Sequence, residues 1–66
     1  MDWESYLPFC QSERQRELIT LRSQGLATEK VAEVMGINRR NVVAMSARIK
    51  ARAAKQGYSP EHDMVH

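Results

Sequence analysis

The chain has almost no cysteine. Cys10 is the one thiol among 66 residues, so no internal disulfide forms and a reducing, cytoplasmic setting is the expectation. No apolar run approaches the roughly 20 residues of a membrane-spanning helix, and no membrane association is expected. The acidic opening MDWESYLPFC lacks the basic start and apolar centre of a secretion signal. Strand patterning is absent, as are internal repeats and low-complexity tracts. Catalytic groupings are absent too. No nucleophile sits beside a base, no glycine-rich loop cradles a phosphate and the acids are scattered, so these residues predict neither an enzyme nor a small-molecule substrate. A hydrophobic share of 42% in so short a chain predicts one small, marginally stable globular domain.

The most informative absence is of one sign of charge. Residues 37–57 hold Arg39, Arg40, Arg48, Lys50, Arg52 and Lys55 and no acid. Residues 1–36 set four basic side chains against six acidic ones, and residues 58–66 add only Glu61 and Asp63. The net charge of +2 therefore conceals a polarised chain. A segment carrying all the excess positive charge attracts a polyanion. A solvated helix face is the plainer alternative.

What is present is punctuation and helical period. Pro8, Gly25, Gly36, Gly57 and Pro60 divide the chain into an arm (1–11), helices over about 12–24, 28–35 and 39–56, and a tail (58–66). In the arm, Trp3, Tyr6 and Leu7 have the spacing of one helical turn before Pro8, with Phe9 beyond it. These side chains are expected to cover one edge of the core. Stacking on bases, the alternative, needs interleaved basic residues, which the arm lacks.

Ser12 and Gln15 form a capping-box pair, and Glu13 suits the first turn. Leu18, Ile19 and Leu21, with the stem of Arg22, supply an inner face. Gly25 then ends the helix and Leu26 folds back. Thr28 is expected to cap the second helix, with Glu29 in its first turn and Val31, Ala32, Val34 and Met35 following. After Gly36, Ile37 turns inward and Asn38 caps the third helix. At about 100° per residue, Val42, Met45, Ile49 and Ala53 form its core stripe. Opposite them lie Arg40, Ala44, Ala47 and Ala51, flanked by Val43, Arg48, Lys50 and Lys55. The expected fold is all-α, a three-helix domain with an N-terminal aromatic arm.

A short helix, a glycine turn and a longer helix at a steep angle make a helix-turn-helix unit. Ala32 is small where the helices cross, Gly36 permits the turn, and Val31, Met35, Ile37, Val42 and Met45 lock the pair. Residues 28–49, TEKVAEVMGINRRNVVAMSARI, resemble the helix-turn-helix of bacterial and phage DNA-binding proteins. Over nearly its full length the chain is similar to the N-terminal domain of a group of tailed-phage proteins. The resemblance rests on SERQRELI, VAEVMGINRRNVV and KARAAKQGYSPEHDM, of which GYSPEHDM is the most specific phrase. In that group the domain precedes a larger C-terminal part, often a calcineurin-like metallophosphoesterase. The resemblance thus implies a DNA-binding module of a longer protein, with any enzymatic activity in the further part. Val43 and Met45 stand where the group has small and polar residues, so base preference does not carry over.

Paired arginines at a helix N-terminus oppose the helix dipole at about 0.3–1 kcal/mol per charge. A bidentate arginine–guanine contact is worth about 1–3 kcal/mol of discrimination, enough to outweigh that misfit. The expected partner is double-stranded DNA. Arg39, Arg40, Val43, Ala44 and Ala47 are the expected base contacts, with Val43 on a thymine methyl. Thr28, Lys30, Arg48, Lys50, Arg52 and Lys55 are the expected phosphate contacts. No cofactor or metal is expected. Glu61, His62, Asp63 and His66 have metal-like spacing, but a chain end reads as linker. Two alternatives stand beside DNA reading: an assembly module that dimerises through the alanine-rich third helix, and a small-terminase-type packaging domain.

Overall fold

The computed structural model describes residues 2–58. Among them a 3-10 segment, Trp3–Phe9, precedes three α-helices: α1 (Glu13–Ser23), α2 (Thr28–Met35) and α3 (Arg39–Lys55). No strand occurs among the described residues, and the domain is all-helical. No described helix is long and apolar enough to cross a membrane. Glu61, His62, Asp63 and His66, the tail residues with metal-like spacing, lie outside the described residues.

Local chemistry starts two of the helices as expected. Ser12 accepts the Gln15 N–H at 3.3 Å to open α1, and Asn38 Oδ1 accepts the Asn41 N–H at 3.0 Å to open α3. The reciprocal half of the capping box is displaced by one residue: Gln15 Oε1 accepts the Gln11 N–H at 2.7 Å, not that of Ser12. Thr28 does not cap α2. Ala27 occupies the cap without a side-chain bond, and Thr28 is the first helical residue. Its hydroxyl accepts from Arg22 Nη1 at 3.5 Å instead, so a tertiary contact takes the oxygen that a cap would use.

All three α-helices stop by one device. The N–H of the residue after the glycine reaches five residues back, and the glycine's own N–H reaches three back. The pairs are Leu26 to Leu21 and Gly25 to Arg22, Ile37 to Ala32 and Gly36 to Glu33, and Tyr58 to Ala53 and Gly57 to Ala54. The glycines adopt φ of +92°, +69° and +88°, where a side chain costs roughly 1–2 kcal/mol. Leu26, Ile37 and Tyr58 each fold back, half-buried, onto the core.

That core is assembled from every element. Leu18 and Ile19 of α1, Val31, Ala32 and Met35 of α2, Val42, Ile49 and Ala53 of α3, and Tyr6 of the arm are buried. Met45 lies half-buried at the edge of the α3 stripe. No polar or charged side chain is buried among the described residues. Arg14 Nη2 donates to the Met35 carbonyl at 3.5 Å, joining α1 to the C-terminal end of α2, where a cation also opposes the negative pole of the dipole.

The arm departs from the single turn expected before Pro8. A 3-10 helix runs through Pro8 to Phe9. With three residues per turn, Trp3, Tyr6 and Phe9 fall in one row. An α-helix would rotate successive members of that series apart. Tyr58, expected in the tail, belongs to the same cluster. Its ring meets Tyr6 edge-on at 5.5 Å between centroids and stacks on Phe9 at 5.5 Å. Its hydroxyl is hydrogen-bonded to Ser5 Oγ. Trp3 lies 6.0 Å from Tyr6, so all four aromatic residues of the chain form one contiguous patch.

Candidate nucleic-acid interface

The residues expected to touch bases share one face of α3. Arg39, Arg40, Ala44 and Ala47 are exposed, and Val43 is 50% exposed, a large value for a valine. Ala51 continues this face. The burial of Val42, Ile49 and Ala53 on the other side of α3 turns it outward. Asn38, Arg39, Arg40 and Val43 line a shallow depression at the N-terminal end of the helix. The alanines leave the middle of the face low, so a partner surface can approach the helix backbone closely.

The residues expected to touch phosphates are more widely distributed. Arg48 and Lys55 are exposed on α3. Arg52 is exposed but turned to the start of α1, its guanidinium beside the side-chain amide of Gln11. Lys30 Nζ stands 3.4 Å from Glu33 Oε1, the one ion pair among the described residues. Both of its members are well exposed, so it contributes little stability. None of the six basic side chains on α3 pairs with a carboxylate among the described residues. Acids within the described residues are confined to the arm, α1 and α2. The resulting field is asymmetric, with its positive side on α3.

Lys50 is the exception among the expected phosphate contacts. Its Nζ lies over the Trp3 ring, 4.7 Å from the centroid, and the residue is half-buried. The Arg22 Cζ also lies 4.7 Å from that centroid. Each such contact is worth about 0.5–1 kcal/mol where water has access. Arg22 is further fixed by donation from Nη1 to the Leu26 carbonyl at 2.9 Å. Trp3, Arg22, Thr28, Val43, Ala47 and Lys50 together line a groove between α3 and the start of α2.

The sequence predicts an apolar stem in Arg22 and a lid in Trp3, and the pairing of the two is an addition made by the fold. Nothing local signals it, because Trp3, Arg22 and Lys50 come from three separate elements. The helical period does place Lys50 beside Val43 and Ala47 on the flank of α3, the only hint available before folding.

Cys10 is half-buried where the arm meets α1. Burial raises its pKa, and the nearby Arg16 charge offsets this in part. Its thiol donates to the Tyr6 carbonyl at 3.6 Å. This is the environment of a small core side chain. Among the described residues no cluster of three histidine, cysteine or acidic side chains is arranged to hold a metal.

No family model, no curated protein and no solved structure matches this chain.

Proposed function

We propose that this chain binds double-stranded DNA, with α2, the Gly36 turn and α3 acting as a helix-turn-helix and α3 as the recognition helix. The observation that carries the reading is the outer face of α3: cationic, free of acids and thinned by alanines, with its two N-terminal arginines exposed. In a helix-turn-helix the N-terminal part of the second helix enters the major groove. Arg39 and Arg40 then meet guanine edges, Val43 meets a thymine methyl, and Ala44 and Ala47 allow close approach. Arg48, Arg52, Lys55, Lys30 and Thr28 hold the backbone on either side. The resemblance to tailed-phage N-terminal domains supports the same reading. It extends it to a module of a larger phage-type protein acting in the host cytoplasm, in transcription control or in DNA packaging.

Titration of labelled duplexes at several salt concentrations tests the proposal. Affinity is expected to fall steeply and linearly on a log–log scale, as counterion release requires. Absence of duplex binding at low salt overturns it.

One observation favours a second reading. Among the described residues Val34 and Val43 are the large apolar side chains left most open, at 51% and 50% exposure. An assembly module would bury such residues against a second copy and would need no other feature on α3 than its flat alanine face. Sedimentation analysis across concentrations separates the readings: assembly predicts a rise in mass without DNA.

A further inference from the structure

We infer that Arg22 and Lys50, held against Trp3, form a clamp for the sugar–phosphate backbone of duplex DNA on the α2 side of α3. The inference rests on the DNA-binding reading and deepens it, because it adds a contact from α1 and an orientation on the duplex.

Two cations share one indole ring, each 4.7 Å from its centroid. Like charges repel, and neither has a carboxylate partner among the described residues. The ring's electron-rich face offsets part of that repulsion and leaves the net charge in place. An anion between or beside the two heads would remove the rest. The groove they line contains the Thr28 and Ser46 hydroxyls and no acidic residue, while Asp2 lines a separate depression that Trp3 and Arg22 also border.

The donors are already arranged. Arg22 uses Nη1 on the Leu26 carbonyl and the Thr28 hydroxyl. Its Nη2 and Nε donate to nothing among the described residues, and a guanidinium presents those atoms in a fixed fork suited to phosphate oxygens. Lys50 Nζ has no hydrogen-bond acceptor among the described residues, its contact being with the ring alone. Both side chains are half-buried, so much of their freedom is lost before any ligand arrives.

Position selects the ligand. Val43 and Ala47, which face bases in the proposed complex, line the same groove. A duplex seated on α3 therefore brings a backbone strand past Arg22 and Lys50. Trp3 is a positioning residue here: its ring is covered by the two cations and is not free to stack on an unpaired base.

The test compares duplex affinity against salt for the whole chain and for Lys50→Gln and Arg22→Gln. Each variant is expected to lower the slope of log affinity against log salt by about 0.9, and to weaken preferred and random duplexes by the same factor. Arg22 also supports the turn before α2, so thermal unfolding of its variant is measured alongside. Lys50→Gln loses no hydrogen bond among the described residues and keeps the test decisive if the Arg22 variant unfolds. Trp3 is the only tryptophan, so its emission is expected to change with the same saturation curve as duplex binding. Inorganic phosphate alone, in the millimolar range, is expected to leave the emission unchanged. Two folded variants with the parental slope overturn the clamp while leaving DNA binding intact. A parental chain that binds no duplex overturns both.

Discussion

Tyr58 stacks on Phe9 with ring centroids 5.5 Å apart and planes within 24°. The contact fastens the residue just after α3 to the arm that precedes α1. The same side chain meets Tyr6 edge-on and is hydrogen-bonded to Ser5 Oγ, so one residue closes the domain from its C-terminal side.

Tyr58→Ala is therefore expected to cost about 2–3 kcal/mol, less than full burial would imply because the ring is half-exposed. In a domain this small each kcal/mol lowers the melting temperature by about 4–8 °C. Tyr58→Phe keeps the rings in contact and loses only the hydrogen bond, about 1 kcal/mol. Thermal unfolding followed by circular dichroism ranks the three chains. Equal melting temperatures for all three would remove Tyr58 from the domain.

Gly36 isolates the backbone cost of the turn between α2 and α3. A Cβ there would meet no heavy atom within 4 Å, so Gly36→Ala introduces no clash. The φ of +69° alone predicts a loss of about 1 kcal/mol. Gly36→Asn is expected to lose less, since asparagine tolerates the left-handed region better. Urea midpoints at unchanged m-value measure both.

For DNA binding, Arg40→Ala is expected to reduce discrimination between a preferred and a random duplex by about 1–3 kcal/mol, roughly 5- to 150-fold in relative affinity. Lys55→Ala should weaken all duplexes alike and lower the salt slope by about 0.9. Competition binding with selected and scrambled duplexes distinguishes the two effects. Unchanged selectivity in the Arg40 variant would place the reading face elsewhere.

Cys10 makes an alkaline prediction. Burial favours its neutral thiol, which donates to the Tyr6 carbonyl, so the folded pKa lies above the unfolded one. The folded chain then holds its proton where the unfolded chain releases it. The stabilising contribution is complete below the unfolded thiol pKa and is lost as pH rises through the folded value. Stability should decline in that alkaline window, and Cys10→Ser should flatten the decline. Alkylation at pH 8 should be slower for the folded chain than for the urea-unfolded one.

Local sequence determined where the α-helices lie. Ser12 and Asn38 cap because their side chains bond backbone two or three residues ahead, and Gly25, Gly36 and Gly57 stop helices because they alone accept positive φ without cost. The buried stripe of α3, Val42, Ile49 and Ala53, follows from the 3.6-residue period. Because that stripe must face inward, the exposure of Arg40, Ala44 and Ala47 was also legible before folding.

Tertiary structure decided what the arm became and what gathers around it. A 3-10 helix forms because three aromatic side chains, Trp3, Tyr6 and Phe9, can then lie in one row on the core, a gain that no local preference of WESYLPF contains. Thr28 surrendered its capping role to a bond with Arg22. Trp3 met Arg22 and Lys50, and Tyr58 left the tail for the arm, through contacts between residues far apart in the chain. Such contacts depend on how α1 and α3 pack around a shared interior, and periodicity within a single helix carries no record of that.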